Sequence, residues 1–495
     1  MIDTLALRER IFEAAMLGLL SEQRENDGDI ADLLESIEAT RLELQKAKAI
    51  KKPKAMPPIT PDEIPFDFPP SWKLVRLSDV AWFGGGHTPS MSDASNFCDG
   101  GTLWVTSKDM KVDRLTSTQI TLTEKGASTL TKYPAGTVLM VTRSGILRRK
   151  LPVAILEREA TVNQDQKAIV PFEPDMAEWL FVYLKACDSY IRHNFGKTGA
   201  TVESVVFDRV KELPIAIPTL AEQKRIVGRV EELLAQIGVI DEAQRDFMNG
   251  IHALRTKIFE AAMLGLLSEQ RENDGDIADL LESIEATRLE LQKAKAIKKP
   301  KAMPPITPDE IPFDFPPSWK LVRLSDVAWF GGGHTPSMSD ASNFCDGGTL
   351  WVTSKDMKVD RLTSTQITLT EKGASTLTKY PAGTVLMVTR SGILRRKLPV
   401  AILEREATVN QDQKAIVPFE PDMAEWLFVY LKACDSYIRH NFGKTGATVE
   451  SVVFDRVKEL PIAIPTLAEQ KRIVGRVEEL LQALPELTRI QRTVV

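Results

Sequence analysis

The sequence predicts an α+β protein in which a pair of long antiparallel, coiled-coil-like helices separates two mixed α/β domains. Three observations support this fold class: an exact internal repeat, a change from strand-like to helical spacing inside each repeat, and a heptad pattern that follows that change. With 495 residues, the chain is also too long for one ordinary hydrophobic core.

The internal repeat covers most of the chain. When the sequence is shifted against itself by 247 residues, 11–234 match 258–481 without a substitution. A period of this length is domain-sized and far too long for a solenoid repeat. Met1 and Val495 both align with Met248, so the sequence starts and ends at the same point of the repeat, in mid-helix. The repeat therefore predicts a pseudo-two-fold, circular arrangement with the termini close together.

The change of spacing lies in the stretch "LPIAIPTLAEQKRIVGRVEELL", which begins at Leu213 and again at Leu460. "LPIAIP" has the composition of a last strand, and the residues after it follow helical periodicity. Thr219 is suited to cap the helix, and Glu222 stands where it would complete a capping box. The boundary between domain and helix is therefore predicted at 218–219, and again 247 residues later.

The helix that follows carries a heptad seam. From Ile226 to Ile258 its apolar residues alternate in steps of four and three, and only Gln244 interrupts them. A helix from Leu220 to about Leu267 would be roughly 70 Å long, or about two turns of B-DNA. Its expected partner is the equivalent helix near the C-terminus, continued by an N-terminal segment from about residue 3 to 44. The alternative is a long surface helix packed on its own domain, which the narrow seam and charged flanks disfavour.

The predicted division of the chain follows from these boundaries. Residues 1–50 are the N-terminal piece of the second helical region, 51–71 a linker, 72–218 the first globular domain, 219–297 the central helical region, 298–318 a second linker, 319–465 the second globular domain and 466–495 the C-terminal helix. Within each globular domain, "TLWVTS", "TVLMVTRS" and "KAIVPF" are typical of strands, and "MAEWLFVYLKACDSYIRHNF" is typical of a helix.

Composition and missing motifs exclude several classes of protein. There is no apolar run of 18 residues and no signal sequence, and the four cysteines form no C-x-x-C pair, so we expect a reduced, cytoplasmic protein that binds no metal. The sequence lacks a D/N-P-P-[YF] motif, a glycine-rich methyl-donor loop, a Walker motif and a defensible nuclease pattern. We therefore predict a chain without catalytic activity or cofactor of its own.

A basic cluster in each globular domain is the strongest candidate for DNA contact. Residues 125–156 contain six basic side chains and no acid, although the net charge of the whole chain is −5. The core of the cluster is "VTRSGILRRK", with Arg143, Arg148, Arg149 and Lys150 around a Ser-Gly turn. Arginines at a strand end suit phosphate contacts and the edges of guanine. For any one of these residues, the alternative is a solvated hairpin tip.

Three loops supply further candidates. His87 lies in "FGGGHTPS", a glycine-rich loop that lacks nucleotide-binding motifs and is better explained by close backbone approach. "WVTSKDM" places Ser107 and Lys108 at a strand end, and "GKTGAT" offers Lys197 and Thr198 for backbone contacts. The copies of all the DNA-contact candidates are His334, Ser354, Lys355, Arg390, Arg395, Arg396, Lys397, Lys444 and Thr445.

Together these segments resemble the DNA-specificity subunits of type I restriction–modification systems. The junction "LPIAIPTLAEQKRIVGRVEELL" is similar to that family's border between a target-recognition domain and a helix. "SWKLVRLSDVAWFGGGHTPS", "GTLWVTSKDM", "AGTVLMVTRSG" and "ATVNQDQKAIVP" resemble its recognition-domain segments, in the family's order. The resemblance implies two target-recognition domains, each reading half of a split site in double-stranded DNA. It also implies two modification subunits that carry the methyl donor, and restriction subunits that join for cleavage.

The sequence departs from the family pattern in one respect, because its two recognition domains are identical. Identical readers related by a two-fold axis would read identical, inverted half-sites, so we expect an interrupted palindrome. Two other classes of function remain open on the sequence alone. One is a free-standing two-fold DNA-binding regulator, and the other is a helical adaptor that binds partner proteins and no DNA.

Overall fold

The computed structural model describes residues 1–51, 56, 58–64, 66–197, 202–299, 303–311, 313–444 and 449–493, with side chains as far as residue 484. The chain forms two compact units, Ile2–Gln244 (the first unit) and Arg245–Val495 (the second unit, to which Met1 is assigned). Each unit contains one copy of the globular domain, and each has its own hydrophobic core.

The elements of the first unit precede a long helix, α8 (Leu220–Met263), which begins in this unit and ends in the second. The helices are α1 (Thr4–Met16), α2 (Ile30–Lys46), α3 (Leu77–Val80), α4 (Glu124–Ala127), α5 (Ala177–Ala186), α6 (Asp188–Phe195) and α7 (Phe207–Lys211). The strands are β1 (Lys73–Arg76), β2 (Ala81–Gly85), β3 (Phe97–Val105), β4 (Arg114–Leu115), β5 (Thr121–Leu122), β6 (Val138–Val141), β7 (Val153–Leu156), β8 (Ala160–Val162), β9 (Gln166–Pro171), β10 (Gly196–Lys197), β11 (Ser204–Val205) and β12 (Pro214–Ile217).

The second unit repeats these elements after α8. Its helices are α9 (Ile277–Lys293), α10 (Leu324–Val327), α11 (Glu371–Ala374), α12 (Ala424–Ala433), α13 (Asp435–Phe442), α14 (Phe454–Lys458) and α15 (Leu467–Thr493). Its strands are β13 (Lys320–Arg323), β14 (Ala328–Gly332), β15 (Phe344–Val352), β16 (Arg361–Leu362), β17 (Thr368–Leu369), β18 (Val385–Val388), β19 (Val400–Leu403), β20 (Ala407–Val409), β21 (Gln413–Pro418), β22 (Gly443–Lys444), β23 (Ser451–Val452) and β24 (Pro461–Ile464).

Each globular domain is built on a five-stranded sheet. In the first copy the strand order is β2-β9-β6-β7-β4, and a three-stranded sheet, β5-β3-β8, lies beside it in the fold. The three strand-like runs of the sequence fall in β3, β6 and β9, and the predicted helical run forms α5 and α6. The first and last strands of the domain, β1 and β12, pair antiparallel, so the chain leaves the domain next to where it entered.

The core is centred on α5, whose Trp179 is fully buried. Its indole nitrogen donates a hydrogen bond of 3.2 Å to the Ala216 carbonyl oxygen in β12, and its ring meets Trp72 edge-on at 5.3 Å. The apolar run of α5 is therefore buried against the strand that precedes α8. Burial of such a ring is among the largest single contributions to the stability of a domain.

The predicted long helix is present, with one change at its end. α8 has 44 residues, or roughly 66 Å at 1.5 Å per residue, and ends at Met263 rather than near Leu267. The cause is Gly265 in the left-handed region at φ +73°, with amides of residues 265 and 266 bonded back to the carbonyls of Ala262 and Ala261. This is the Schellman arrangement, which ends a helix at a glycine.

The N-terminal segment differs from the prediction for the same reason. The expected continuous helix from about residue 3 to 44 is wrong, because α1 ends at Met16 and α2 begins only at Ile30. Gly18, at φ +71°, ends α1 as Gly265 ends α8, and Asp29 caps α2 through its side chain.

Within the first unit, α1 runs antiparallel to the first half of α8. Thr4 and Arg8 bond to Asp241 at 2.5 and 3.1 Å, whereas Asp27, beyond the end of α1, pairs with Arg225. Gln244, which interrupts the heptad seam, accepts a hydrogen bond of 2.8 Å from the Ile2 amide. Gln244 therefore binds the start of the chain to α8 at the position where it interrupts the apolar seam.

The heptad seam is buried toward both ends of α8. Ile226 and Val230 lie in the core of the first unit, and Ile258 lies in the core of the second. Leu254, by contrast, is 44% exposed, so the seam does not bury every position that the spacing selects.

The junction between domain and helix has a different hydrogen-bond pattern from the predicted capping box. Thr219 caps α8 as expected, since its hydroxyl accepts a 3.2 Å bond from the Glu222 amide. The Glu222 carboxylate instead accepts a 3.1 Å bond from the Trp72 indole, and burial raises the pKa of that carboxyl. Arg114 adds a surface connection, because it contacts Glu231 of α8 at 2.7 Å and two glutamates of the domain, Glu157 and Glu178.

A carboxylate holds the segment before β1, and protonation of this carboxylate should lower the stability of the domain in acid. Arg76, which is buried, donates to Glu63 at 2.8 Å, and with the Thr60 amide this lowers the pKa of Glu63 from 4.5 to about 2. The contribution is present above pH ~4.5 and disappears as the pH falls toward ~2. We expect Glu63→Gln with Glu310→Gln to lower stability at pH 6 and to make its fall between pH 6 and 3 shallower.

Urea midpoints at the two pH values would measure this effect. Glu124→Gln with Glu371→Gln, which changes exposed glutamates in the same two domains, is the matched control. An unchanged difference between pH 6 and pH 3 in the Glu63 and Glu310 variant would contradict the assignment.

Candidate nucleic-acid interface

The strand register brings the predicted contact loops to one edge of the domain. Gly85 at the end of β2 faces Lys167 at the start of β9, and Val141 at the end of β6 faces Gln166. The adjoining sheet ends at the same place, because the Asn163 amide, just after β8, bonds to the carbonyl at the end of β3. We call this edge, with its loops 86–90, 106–109, 142–150 and 163–165, the polar edge.

The polar edge collects most of the candidates selected from the sequence. His87 lies in its first loop, Ser107 and Lys108 in its second, and the arginine cluster in its third. The Thr142 amide donates a 2.8 Å bond to the Asp165 carbonyl, which joins the third and fourth loops directly. Residues far apart in the sequence therefore share one surface, in both copies.

The arginine cluster is less uniformly charged than its sequence indicates. Arg148 pairs with Glu203 at 2.9 Å, Lys125 with Asp93 at 2.8 Å, and Lys132 with Glu159 at 3.5 Å. The Lys125 ammonium and two bonds from Ser95 lower the pKa of Asp93 to about 2. The pairing of Arg148 is a correction to the acid-free cluster, because its acid comes from residue 203, outside the run.

Three members of the cluster keep their charge available. Arg143, Arg149 and Lys150 are exposed, and among the described residues none of them has an acidic partner within ion-pair distance. Arg143 is fixed by its backbone, which bridges to Ser204 of β11. The same holds for Arg390, Arg396 and Lys397 of the second copy.

Lys197 joins this surface through a small sheet. It pairs with Ser204 across β10 and β11, and Ser204 in turn faces Arg143, so the two basic residues flank one strand. Lys444 and Arg390 are arranged in the same way. Thr198 and Thr445, the other two candidates of this loop, lie outside the described residues.

The glycine-rich loop is explained by close packing, as its sequence indicated. A Cβ at Gly86 would overlap the Val162 carbonyl oxygen, and one at Gly84 would overlap the Tyr133 hydroxyl. That hydroxyl donates a 2.8 Å bond to the Gly85 carbonyl. His87 follows on the surface, exposed, with its Nε2 3.1 Å from the Thr129 hydroxyl. The glycines therefore hold the loop against β8, which positions His87.

We expect Gly86→Ala with Gly333→Ala to destabilise the domains by about 1–3 kcal/mol, because a backbone carbonyl cannot move aside as a side chain can. Thermal unfolding of the purified chain would measure the loss. Gly85→Ala with Gly332→Ala is the control, since there the nearest atom, at 3.0 Å, is a flexible lysine amine. Equal melting temperatures for the two variants would contradict this account of the loop.

The remaining candidates divide between exposed and inward-facing groups. Lys108 is exposed, whereas Ser107 is half-buried and lies 3.2 Å from the amide of Gln166. Asn163 and Gln166, the amides at the two ends of the fourth loop, are buried. Gln164 is the exposed amide of that turn and accepts a 2.7 Å bond from Thr88.

Sequence reasoning missed two lysines beside the polar edge. Lys167 lies in β9 opposite Gly85 of β2. Lys211 lies on α7, with its amine 5.8 Å from the centre of the Phe83 ring. Their only sequence signals were a lysine directly after a glutamine and a lysine four residues after a phenylalanine.

Two further properties of the described chain bear on its class. Within the described ranges, no cluster of three or more His, Cys, Asp or Glu side chains is placed to hold a metal ion. No helix in the same part of the chain has the length and apolar character needed to cross a membrane.

The chain has two sheet-containing domains with a long helix between them, and each domain has a polar edge. These features define the class of a modular two-domain recognition protein. Comparison with known proteins identifies its family. The model of the type I restriction modification DNA specificity domain matches residues 69–244 and 316–493. The chain therefore belongs to that family, and its function is DNA recognition in a type I restriction–modification system. The resemblance and the fold class predicted from the sequence are both confirmed.

Individual relatives agree with this assignment. The chain is 22% identical to the type I restriction enzyme EcoEI specificity subunit of Escherichia coli, over 97% of this chain and 89% of that protein. It is 33% identical to the EcoR124I/EcoR124II specificity subunit of the same organism over 34% of this chain and 41% of that protein. A solved chain from a study of type I R-M complex assembly has a TM-score of 0.52 at 20% identity, covering 87% of this chain and 95% of that chain.

Proposed function

We propose that this chain is the non-catalytic recognition subunit of its system and that it reads an interrupted palindrome in double-stranded DNA. The observation that carries the proposal is the exact repeat, because 11–234 and 258–481 give two polar edges of the same residues. Two identical readers facing each other would bind identical half-sites on opposite strands. The chain acts in the cytoplasm, with α8 and its partner segments setting the distance between half-sites.

The partners in this proposal are two modification subunits, one for each half of the chain, and restriction subunits that join them. Methyl transfer and its methyl donor belong to the modification subunits. Each polar edge contributes positive charge from Arg143, Arg149 and Lys150, and from Lys108 and Lys197, which suits phosphate contacts. The half-site is then read by the side chains that these contacts position.

Co-purification of the chain with its modification subunit, followed by gel shifts and methyl-transfer assays, tests the proposal. The expected result is specific binding and adenine methylation by the complex, and no methylation by the chain alone. Tight specific binding without a modification subunit would indicate the free-standing regulator instead. A complex that assembles but binds no DNA would indicate the adaptor.

A further inference from the structure

A small cavity with aromatic and basic walls opens beside the polar edge. In the second copy its volume is about 310 Å³, and it lies between the paired strands β14 and β21 and the short helix α14. The residues around it are Phe330, Gly331, Lys414, Phe454, Asp455 and Lys458.

The aromatic rings hold one of the two lysines in place. Phe330 and Phe454 meet edge-on at 5.5 Å, and the Lys458 amine lies 5.8 and 5.6 Å from the two ring centres. The first copy repeats this geometry, since the Lys211 amine lies 5.8 and 5.7 Å from the rings of Phe83 and Phe207. A lysine stem packed on rings presents its ammonium group with less loss of conformational freedom when it binds an anion.

The second lysine approaches from the sheet. Lys414 pairs with Gly332 across β14 and β21, and its amine lies 3.0 Å from where a Cβ of that glycine would stand. Of the charged groups around the cavity, two are ammonium groups and one is the carboxylate of Asp455, 2.7 Å from Lys458. That pair joins residues one helical turn apart, and its acid is 85% exposed, so water or an anion competes with it easily.

We propose that Lys414 and Lys458, with Lys167 and Lys211 in the first copy, bind a phosphate of the DNA backbone and so set the orientation of each domain on its half-site. This inference rests on the proposed function. Two ammonium groups beside one carboxylate leave a net positive site, and phosphate oxygens accept hydrogen bonds from both lysines. The register of β14 places the site next to the loops that would read bases.

The test compares binding by the full chain, co-purified with its modification subunit, to two duplexes of equal length. One duplex contains the motif that the complex methylates, and the other has a scrambled sequence. For Lys211→Gln with Lys458→Gln we expect about tenfold weaker binding to both duplexes near 0.1 M salt. The slope of log affinity against log salt should fall, by at most about 1.8 for the two domains together, because each domain neutralises one phosphate at this site and each phosphate contributes about 0.9. The methylated motif should stay the same.

Two further variants complete the experiment. Lys167→Gln with Lys414→Gln should give the same change of slope, and it gives an independent result if the first variant folds poorly. Lys224→Gln with Lys471→Gln removes the same charge from α8 and α15, where these lysines pair with Asp175 and Asp422 at 2.7 Å, and should leave the slope unchanged.

An unchanged salt slope in both cavity variants would overturn the inference, while normal specific binding by the unaltered complex would leave the proposed function standing. A cavity variant that no longer co-purifies with the modification subunit but keeps its salt slope would also overturn the inference. It would indicate that a carboxylate of a protein partner occupies the cavity. Absence of specific binding by the unaltered complex would overturn the proposed function itself, and the inference with it.

Discussion

Changing four arginines to glutamine is expected to weaken specific DNA binding by roughly two to three orders of magnitude near 0.1 M salt. The four substitutions are Arg143→Gln, Arg149→Gln, Arg390→Gln and Arg396→Gln. These four guanidinium groups are exposed on the polar edges, and none has an acidic partner among the described residues. Removing four phosphate contacts should lower the salt slope by about 3.6, at about 0.9 for each contact. Fluorescence anisotropy over a salt series, with the complex and its cognate duplex, would measure both quantities.

The neighbouring arginine supplies the matched control. Arg148→Gln with Arg395→Gln also removes one charge per domain from the same turn, but these guanidinium groups already pair with Glu203 and Glu450 at 2.9 and 2.8 Å. Binding DNA through them would first require breaking ion pairs to acids that are only 15% and 14% exposed, unlike the exposed Asp455 beside Lys458, so we expect a much smaller loss of affinity. If this control variant lost as much affinity as the four-arginine variant, the division of the cluster into paired and available charges would be wrong.

Loss of the central tryptophan should have the largest effect on stability. Trp179 is fully buried, contacts Trp72 edge-on and bonds to the Ala216 carbonyl, so Trp179→Ala leaves both a cavity and an unpaired oxygen. We expect its domain to lose about 3–5 kcal/mol of unfolding free energy. Because each unit has its own core, the single variant should unfold in two steps, the first at a clearly lower temperature.

Calorimetry would resolve the two steps. Trp179→Ala with Trp426→Ala should return the protein to one transition, at the lower temperature, because both domains then carry the same change. Trp179→Phe retains most of the apolar ring and removes the indole donor, so we expect a smaller loss of about 1–3 kcal/mol. One transition at the original temperature for the single Trp179→Ala variant would contradict the central role of this ring.

The sequence predicted those features of the fold that depend on local chemistry. The repeat, the Thr219 cap and the helical spacing after it are read directly from neighbouring letters, and each is present. The end of α8 and the break after α1 also had local signals, in Gly265 and Gly18. They were missed because apolar spacing alone continues past both glycines, whereas their left-handed backbone ends the helices.

What the sequence did not predict depends on partners far along the chain. Glu222 bonds to Trp72, 150 residues away, instead of closing a local capping box. Glu203 pairs with Arg148 across 55 residues, which changes the charge of a cluster that contains no acid in sequence. The lysines of the cavity meet through the register of β9 with β2 and through the position of α7. Such pairings are set by the tertiary fold, and no spacing rule within one segment reveals them.

The central claim is that identical recognition domains read identical, inverted half-sites. Sequencing of methylated bases in the DNA of cells that carry this chain with its modification subunit tests it most directly. The account predicts one interrupted palindrome, with the equivalent adenine methylated on each strand. An asymmetric motif, with two different half-sites on either side of the spacer, would contradict it.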